Sequence, residues 1–151
     1  MMNTNRKLKI AAEKINSDCI ADKLRLISRV VTSIYDDALR PLGITLNQLN
    51  LIVVVAKFEP TSPSKIGEWL HMNKSTVSRN INLMSRNGWL DIKPLGQGRS
   101  LEIKLLSKGR EIFKKSNPFW EKAQRNVNKM LKKQGVEELK RMAHDIRGSN
   151  I

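Results

Sequence analysis

The sequence predicts a mainly helical domain carrying one small β-hairpin, and three features predict it. Apolar residues recur at steps of three, four and seven along most of the 151-residue chain, marking helix faces. Between Ser62 and Asn87 two short helical patterns abut across a tight connection, the outline of a helix-turn-helix. After Gly88 the period falls to two: Leu90, Ile92, Leu101, Ile103 and Leu105 alternate with charged residues, as half-buried strands require.

The first residues, through Asn16, are basic and weakly patterned, which predicts a frayed arm or a short lead-in helix. From Cys19 to Leu39, Ile20, Leu24, Ile27, Val31, Ile34 and Ala38 form one stripe, widened by Leu26 and Val30, and Pro41 and Gly43 end that helix. The next opens at Thr45, where Thr45 and Gln48 have the spacing of a capping box. Its body, LNLIVVVAKF, is apolar nearly all round and should be central, and Pro60 stops it. Ser62-Pro63 starts a short helix, with Ile66, Trp69 and Leu70 inward and an end near His71. Asn73 caps the following one, in which Val77, Ile81 and Met84 face inward and Gly88 takes the left-handed closing position. The residues Pro94 to Arg99 link the two strands. Ser107 should cap a long helix that Pro118 kinks and Gly135 breaks, leaving Val136, Leu139, Met142, Ala143 and Ile146 along one side of the last helix.

Charge narrows the function. Lys and Arg number 28 against 14 Asp and Glu, a formal net charge of +14, and such a field favours polyanions. A single cysteine, Cys19, excludes an internal disulfide and suits a reducing cytosol. No apolar run reaches the length of a signal peptide core or a membrane span, so the sequence reads as a cytoplasmic protein without a membrane partner.

The helix NKSTVSRNINLMSRNGWL carries short hydroxyl, amide and cationic side chains opposite its apolar stripe: Ser75, Thr76, Ser78, Arg79, Asn82 and Arg86, with Lys74 at its start. Short side chains near a helix N-terminus let the backbone approach base edges and phosphates in a major groove; arginine suits guanine and asparagine suits adenine. A solvated polar face would look alike in isolation, but here it follows a short helix and a tight turn and precedes a basic hairpin. Ser64 and Lys65, opening the preceding helix, are counted with the DNA-contacting set. Arg99, at the hairpin tip, is placed to enter an adjacent minor groove.

The succession SPSKIGEWL, NKSTVSRNINLMSRNGWL, hairpin and LLSKGREIF resembles the MarR family of bacterial transcription regulators, most specifically at STVSR (residues 75–79), at RNGWL and at LSKG (residues 106–109), with LGIT (residues 42–45) before the second helix. The resemblance runs from about Cys19 to the end. It implies a winged helix-turn-helix over residues 45–106, flanked by dimerisation helices at 18–43 and 107–151, in a single domain. It implies a homodimer on a pseudopalindromic operator in double-stranded DNA, most often a repressor, released in relatives by small aromatic compounds. It places Ser75, Thr76, Ser78, Arg79 and Asn82 on the recognition helix and Arg99 at the wing tip. Two positions depart from the pattern. Gln97 stands where an acid commonly orients the wing arginine, and Leu83 stands where a basic residue is common, which suggests packing under the wing.

Other classes fit less well. An oxidant sensor would use Cys19, but its neighbours Asp18 and Asp22 are acidic and oppose a reactive thiolate. A nonspecific basic nucleic-acid-binding protein would need the charge alone. An enzyme is not expected: only His71 and His144 could serve Cys19 as a base, and no phosphate loop, metal-ligand spacing or cofactor motif is present. The chain also lacks the sheet-borne aromatic residues of RNA-binding modules.

Overall fold

The computed structural model describes residues 2–96 and 100–149. Six helices and one hairpin follow in order: α1 (Met2–Asp18), α2 (Ile20–Leu39), a 3₁₀ turn (Arg40–Leu42), α3 (Leu46–Phe58), α4 (Pro63–Leu70), α5 (Lys74–Arg86), β1 (Leu90–Pro94), β2 (Leu101–Leu105) and α6 (Ser107–Gly148). The basic N-terminus is thus a full 17-residue helix, its described side chains exposed up to Cys19.

Local chemistry sets most boundaries. Gly43 takes a left-handed conformation (φ 67°) that closes the 3₁₀ turn. Thr45 and Gln48 form both bonds of the capping box at the start of α3. Asp36 accepts the Leu46 N–H (2.6 Å) and thereby ties α2 to α3. Leu49, Leu51, Ile52, Val54 and Val55 make α3 the centre of the core. Around it pack Ile66 of α4, Val77, Ile81 and Met84 of α5, and Leu90 and Ile103 of the hairpin.

The hairpin is antiparallel, with Leu90 opposite Leu105, Ile92 opposite Ile103 and Pro94 opposite Leu101. A third short segment joins it. Thr61 and Ile103 exchange backbone hydrogen bonds of 3.1 and 2.8 Å, so the chain between α3 and α4 anchors the wing. Glu59 adds a clamp: one carboxylate oxygen accepts the Leu105 N–H (3.0 Å) and the other pairs with Arg110 of α6 (2.6 Å). Burial alone would raise the Glu59 pKa. The Leu105 N–H, Arg110 and Lys104 outweigh burial and hold it below the usual carboxylate value.

The C-terminal segment departs from expectation in three places. Ser107 does not cap α6. The cap position is Leu106, whose N–H is held by the Trp89 carbonyl (3.0 Å), and Ser107 is the first helical residue. Pro118 leaves the helix unbroken. The carbonyl it strands belongs to exposed Lys114, where water can serve, and an Asn117–Glu121 side-chain bond (3.0 Å) spans the position. The backbone leaves helical geometry at Lys132 (φ 58°, ψ 163°) rather than Gly135. That break ends the first limb at Leu131 and lets Val136 and Leu139 of the second line the same crevice against α2.

The first limb of α6 is fixed to α2 by a small second core of Tyr35, Ala123 and Val127. The Tyr35 hydroxyl donates to Gln124 Oε1, and burial raises its pKa, keeping it a neutral donor. Much of the remaining apolar surface of the outer helices has no partner: Ile15, Ile20 and Leu26 are all more than 60% exposed.

Candidate nucleic-acid interface

The site is built on α4 and α5. Ser62 accepts the Lys65 N–H and Pro63 opens α4, so the helix starts where the sequence requires. Its exit is tight. His71 adopts a left-handed conformation (φ 50°), and the Met72 N–H bonds the Gly67 carbonyl at 2.9 Å. A Cβ at Gly67 would lie 3.1 Å from the Met72 oxygen and 3.5 Å from Val77, so a glycine suits the closeness of the two helices. Asn73 then caps α5, accepting the Thr76 N–H and the Ser75 hydroxyl, each at 2.8 Å.

Val77, Ile81 and Met84 are buried and fix the rotation of α5. Ser75, Arg79, Asn82 and Arg86 follow at i, i+4, i+7 and i+11, one outward row about 16 Å long, and all four are exposed. Lys74 and Ser78 flank the row, also exposed, whereas Thr76 is half-buried beside it. Among the described residues, Lys74, Ser78, Arg79, Asn82 and Arg86 make no side-chain hydrogen bond or ion pair, and α5 carries no acidic residue. Ser64 and Lys65 are exposed on the first turn of α4, the Lys65 ammonium 4.4 Å from the Phe58 ring. Thus the residues expected on α4 and α5 come to one pair of helices. Arg99, with Gln97 and Gly98, lies outside the described residues.

Leu83 is a correction: it is 39% exposed on α5, not packed beneath the hairpin. Its place on the helix lies away from the Val77–Ile81–Met84 stripe, so an apolar type there does not imply burial. Sequence reasoning also missed a cation–aromatic cluster beside α4. Phe58 and Trp69 meet edge to face (4.9 Å), with Lys57 4.3 Å and Arg147 5.1 Å from the Trp69 ring. The Phe58, Lys65 and Trp69 types offered a local signal, but Arg147 comes from the far end of the chain. Lys108, whose ammonium donates to the Asn87 carbonyl (3.0 Å), likewise joins the base of α6 to the exit of α5.

Residues 42–100 match the model of the MarR family. The matched stretch runs from the end of the 3₁₀ turn through α3, α4, α5 and β1. The surrounding helices complete the same fold. A Cys-to-Ser mutant of E. coli MarR, solved with operator DNA, aligns at a TM-score of 0.77 and 16% identity, over 87% of this chain and 96% of that one. The M. tuberculosis regulator MosR, in complex with DNA, aligns at 0.75 and 23% identity, over 89% and 100%. BpsR of Bordetella bronchiseptica, whose DNA binding is regulated by 6-hydroxynicotinic acid, aligns at 0.78 and 14% identity, over 88% and 96%. No curated protein sequence matches the chain. In this winged-helix fold α5 is the second helix of the helix-turn-helix and β1–β2 the wing. Among the described residues no single helix is long and apolar enough to cross a membrane, and no three His, Cys, Asp or Glu side chains gather as a metal site.

Proposed function

We propose that the chain is a sequence-specific, double-stranded DNA-binding transcription regulator, non-enzymatic, that acts as a homodimer on a pseudopalindromic operator, most often as a repressor. The observation that carries this is the exposed, acid-free row Ser75, Arg79, Asn82 and Arg86 on a helix whose opposite face is buried. Among the described residues folding gives Arg79, Asn82 and Arg86 no side-chain partner, and Ser75 bonds only the Asn73 cap. In a major groove, Arg79 and Asn82 would reach base edges, while Lys74, Ser64 and Lys65 would hold phosphates. The wing would carry Arg99 to the neighbouring minor groove.

The uncovered helices support that assembly. Residues 18–43 and 107–151 present Ile20, Leu24, Leu26, Met142 and Ile146 at 45–70% exposure, an apolar surface that a second copy would cover. A two-fold dimer then sets the recognition helices about 34–36 Å apart, one turn of DNA. A small aromatic effector would act by favouring a different separation of the two α5 helices. Two clefts along α6 are open to it: one of 430 Å³ against α2, walled by Leu24, Val31 and Leu139, and one of 210 Å³ against α3, walled by Val53, Phe113 and Trp120.

A pair of variants tests the assignment of roles. Arg79→Ala should weaken a selected operator by about 1–3 kcal/mol and relax base preference. Lys74→Ala should weaken all duplexes alike and flatten the salt dependence. Equal operator affinity of Arg79→Ala and wild type would remove Arg79 from the reading surface.

A further inference from the structure

We propose that the outward face of the first limb of α6 is a docking surface for an acidic, amphipathic helix of another protein, anchored in an apolar cleft at the base of the limb. The chain's charge is not concentrated where the proposed DNA surface lies. Residues 107–151 hold twelve Lys and Arg against five Asp and Glu, half of the net +14, whereas residues 45–106 hold eight against four.

On the first limb these cations are ordered. Lys108, Lys115, Lys122 and Lys129 recur every seven residues, and Arg125 joins them, all exposed. At 100° per residue this row is centred about 130° from Gly109, Ser116, Ala123 and Val127, the buried stripe, and stays clear of exposed Phe113 and Trp120. Covering the apolar sides of α6 with a second copy would leave the row open. It runs about 32 Å. Glu111 pairs with Lys115 (2.6 Å) and Glu121 approaches Arg125 (3.9 Å), while Lys122 and Lys129 have no acidic partner among the described residues.

The row starts beside a cleft of 460 Å³. Leu42, Trp89 and Ile112 contribute apolar walls, and Lys108 and Lys115 stand among its lining. Lys108 is held there by the Asn87 carbonyl. Acidic residues on a partner helix with a seven-residue repeat would meet the cations in step, each repeat advancing about 10.5 Å on both helices. Exposed ion pairs alone bind weakly, so the apolar anchor is needed for affinity and for register. A duplex would leave that cleft unused. This surface is independent of the α5 assignment.

The test uses the full-length protein and a labelled synthetic helix bearing Glu at seven-residue spacing and one terminal Leu, read by fluorescence anisotropy at fixed ionic strength. Saturable binding is expected. The charge reversal Lys122→Glu with Lys129→Glu should weaken it about tenfold or more. Replacing the peptide's Leu by Gly should weaken it by a comparable factor, and Arg79→Ala should leave it unchanged. Both reversed sites are exposed, and far-UV circular dichroism checks the fold. No saturable binding, or binding indifferent to the reversal or to the loss of Leu, overturns the proposal. So does a loss of affinity for a random-sequence duplex that matches the loss for the peptide, which would make the row a nucleic-acid track instead.

Discussion

Gly109 stands where α6 leaves the wing, and alanine there should loosen the joint between them. An ideal Cβ at Gly109 would lie 2.3 Å from the Trp89 carbonyl oxygen, 3.2 Å from its carbon and 3.3 Å from Leu105 Cδ2. The nearest atoms are backbone, so no side-chain rotation relieves the clash. That same oxygen accepts the Leu106 N–H at 3.0 Å, so moving it weakens the bond that starts α6. Overpacking of this kind costs about 1–3 kcal/mol, and a weakened hydrogen bond adds roughly 1 kcal/mol. Alanine returns about 1 kcal/mol of helix propensity. The net loss is about 1–3 kcal/mol, and at about 2–4 °C per kcal/mol for a chain of this size Tm should fall by about 2–12 °C. The assay is thermal unfolding by circular dichroism at one fixed protein concentration, because a dimer's Tm varies with concentration. Gly135→Ala is the control: its Cβ would meet only the Leu131 Cβ at 3.7 Å, ordinary contact, so Tm should hold or rise. A Gly109→Ala protein melting within 1 °C of wild type would show that the joint between the wing and α6 accommodates a Cβ at no cost.

Three further outcomes follow from particular side chains. Glu59→Gln should cost about 1–2 kcal/mol at pH 7, because a neutral amide cannot hold both the Leu105 N–H and Arg110 as the carboxylate does. Since the native pKa of Glu59 is lowered, its contribution is complete above the unfolded value near 4.3 and is lost as pH falls through the native value. Denaturant titrations of both proteins should therefore converge in acid, and a constant difference across pH would contradict the clamp. Arg99→Ala should weaken operators with A·T-rich flanks most, measured by competition between flank variants; equal losses on all flanks would take the wing arginine out of the minor groove. Cys19, half-buried between α1 and α2, is not expected to sense oxidants, so Cys19→Ser should bind DNA and respond to peroxide as wild type does. A peroxide response present in wild type and absent in the variant would reverse this.

Local signals were legible wherever one or two residues decide a conformation. The Thr45–Gln48 box, the Ser62-Pro63 start, the Asn73 cap and the left-handed Gly88 (φ 74°) all stand as read. The buried and exposed faces of α5 were legible too, because a helical period sorts residues before any tertiary contact is known. Long-range contacts were not. The Thr61–Ile103 bridge joins residues far apart in sequence through backbone atoms, which no side-chain type announces. Pro60 marks the end of α3, but the role of Glu59 before it depends on where Leu105 and Arg110 fall in space. Ser107 and Pro118 misled for a common reason. Capping and breaking rules describe isolated helices, whereas the Leu106–Trp89 bond sets the start of α6 and solvent exposure tolerates the proline. Leu83 shows the limit of residue type alone, since an apolar side chain on α5 is left in solvent.

In the proposed assembly two copies of α5 read one operator together. Its most direct measurement is selection of bound sequences from random duplex DNA by the full-length protein, followed by titration of the winning duplex. Two inverted half-sites are expected, with centres one helical turn apart, bound by two chains per duplex and at least a thousandfold more tightly than random DNA, within the usual range of specific recognition. A single unrepeated half-site bound by one chain, or no preference over random duplex, would contradict it.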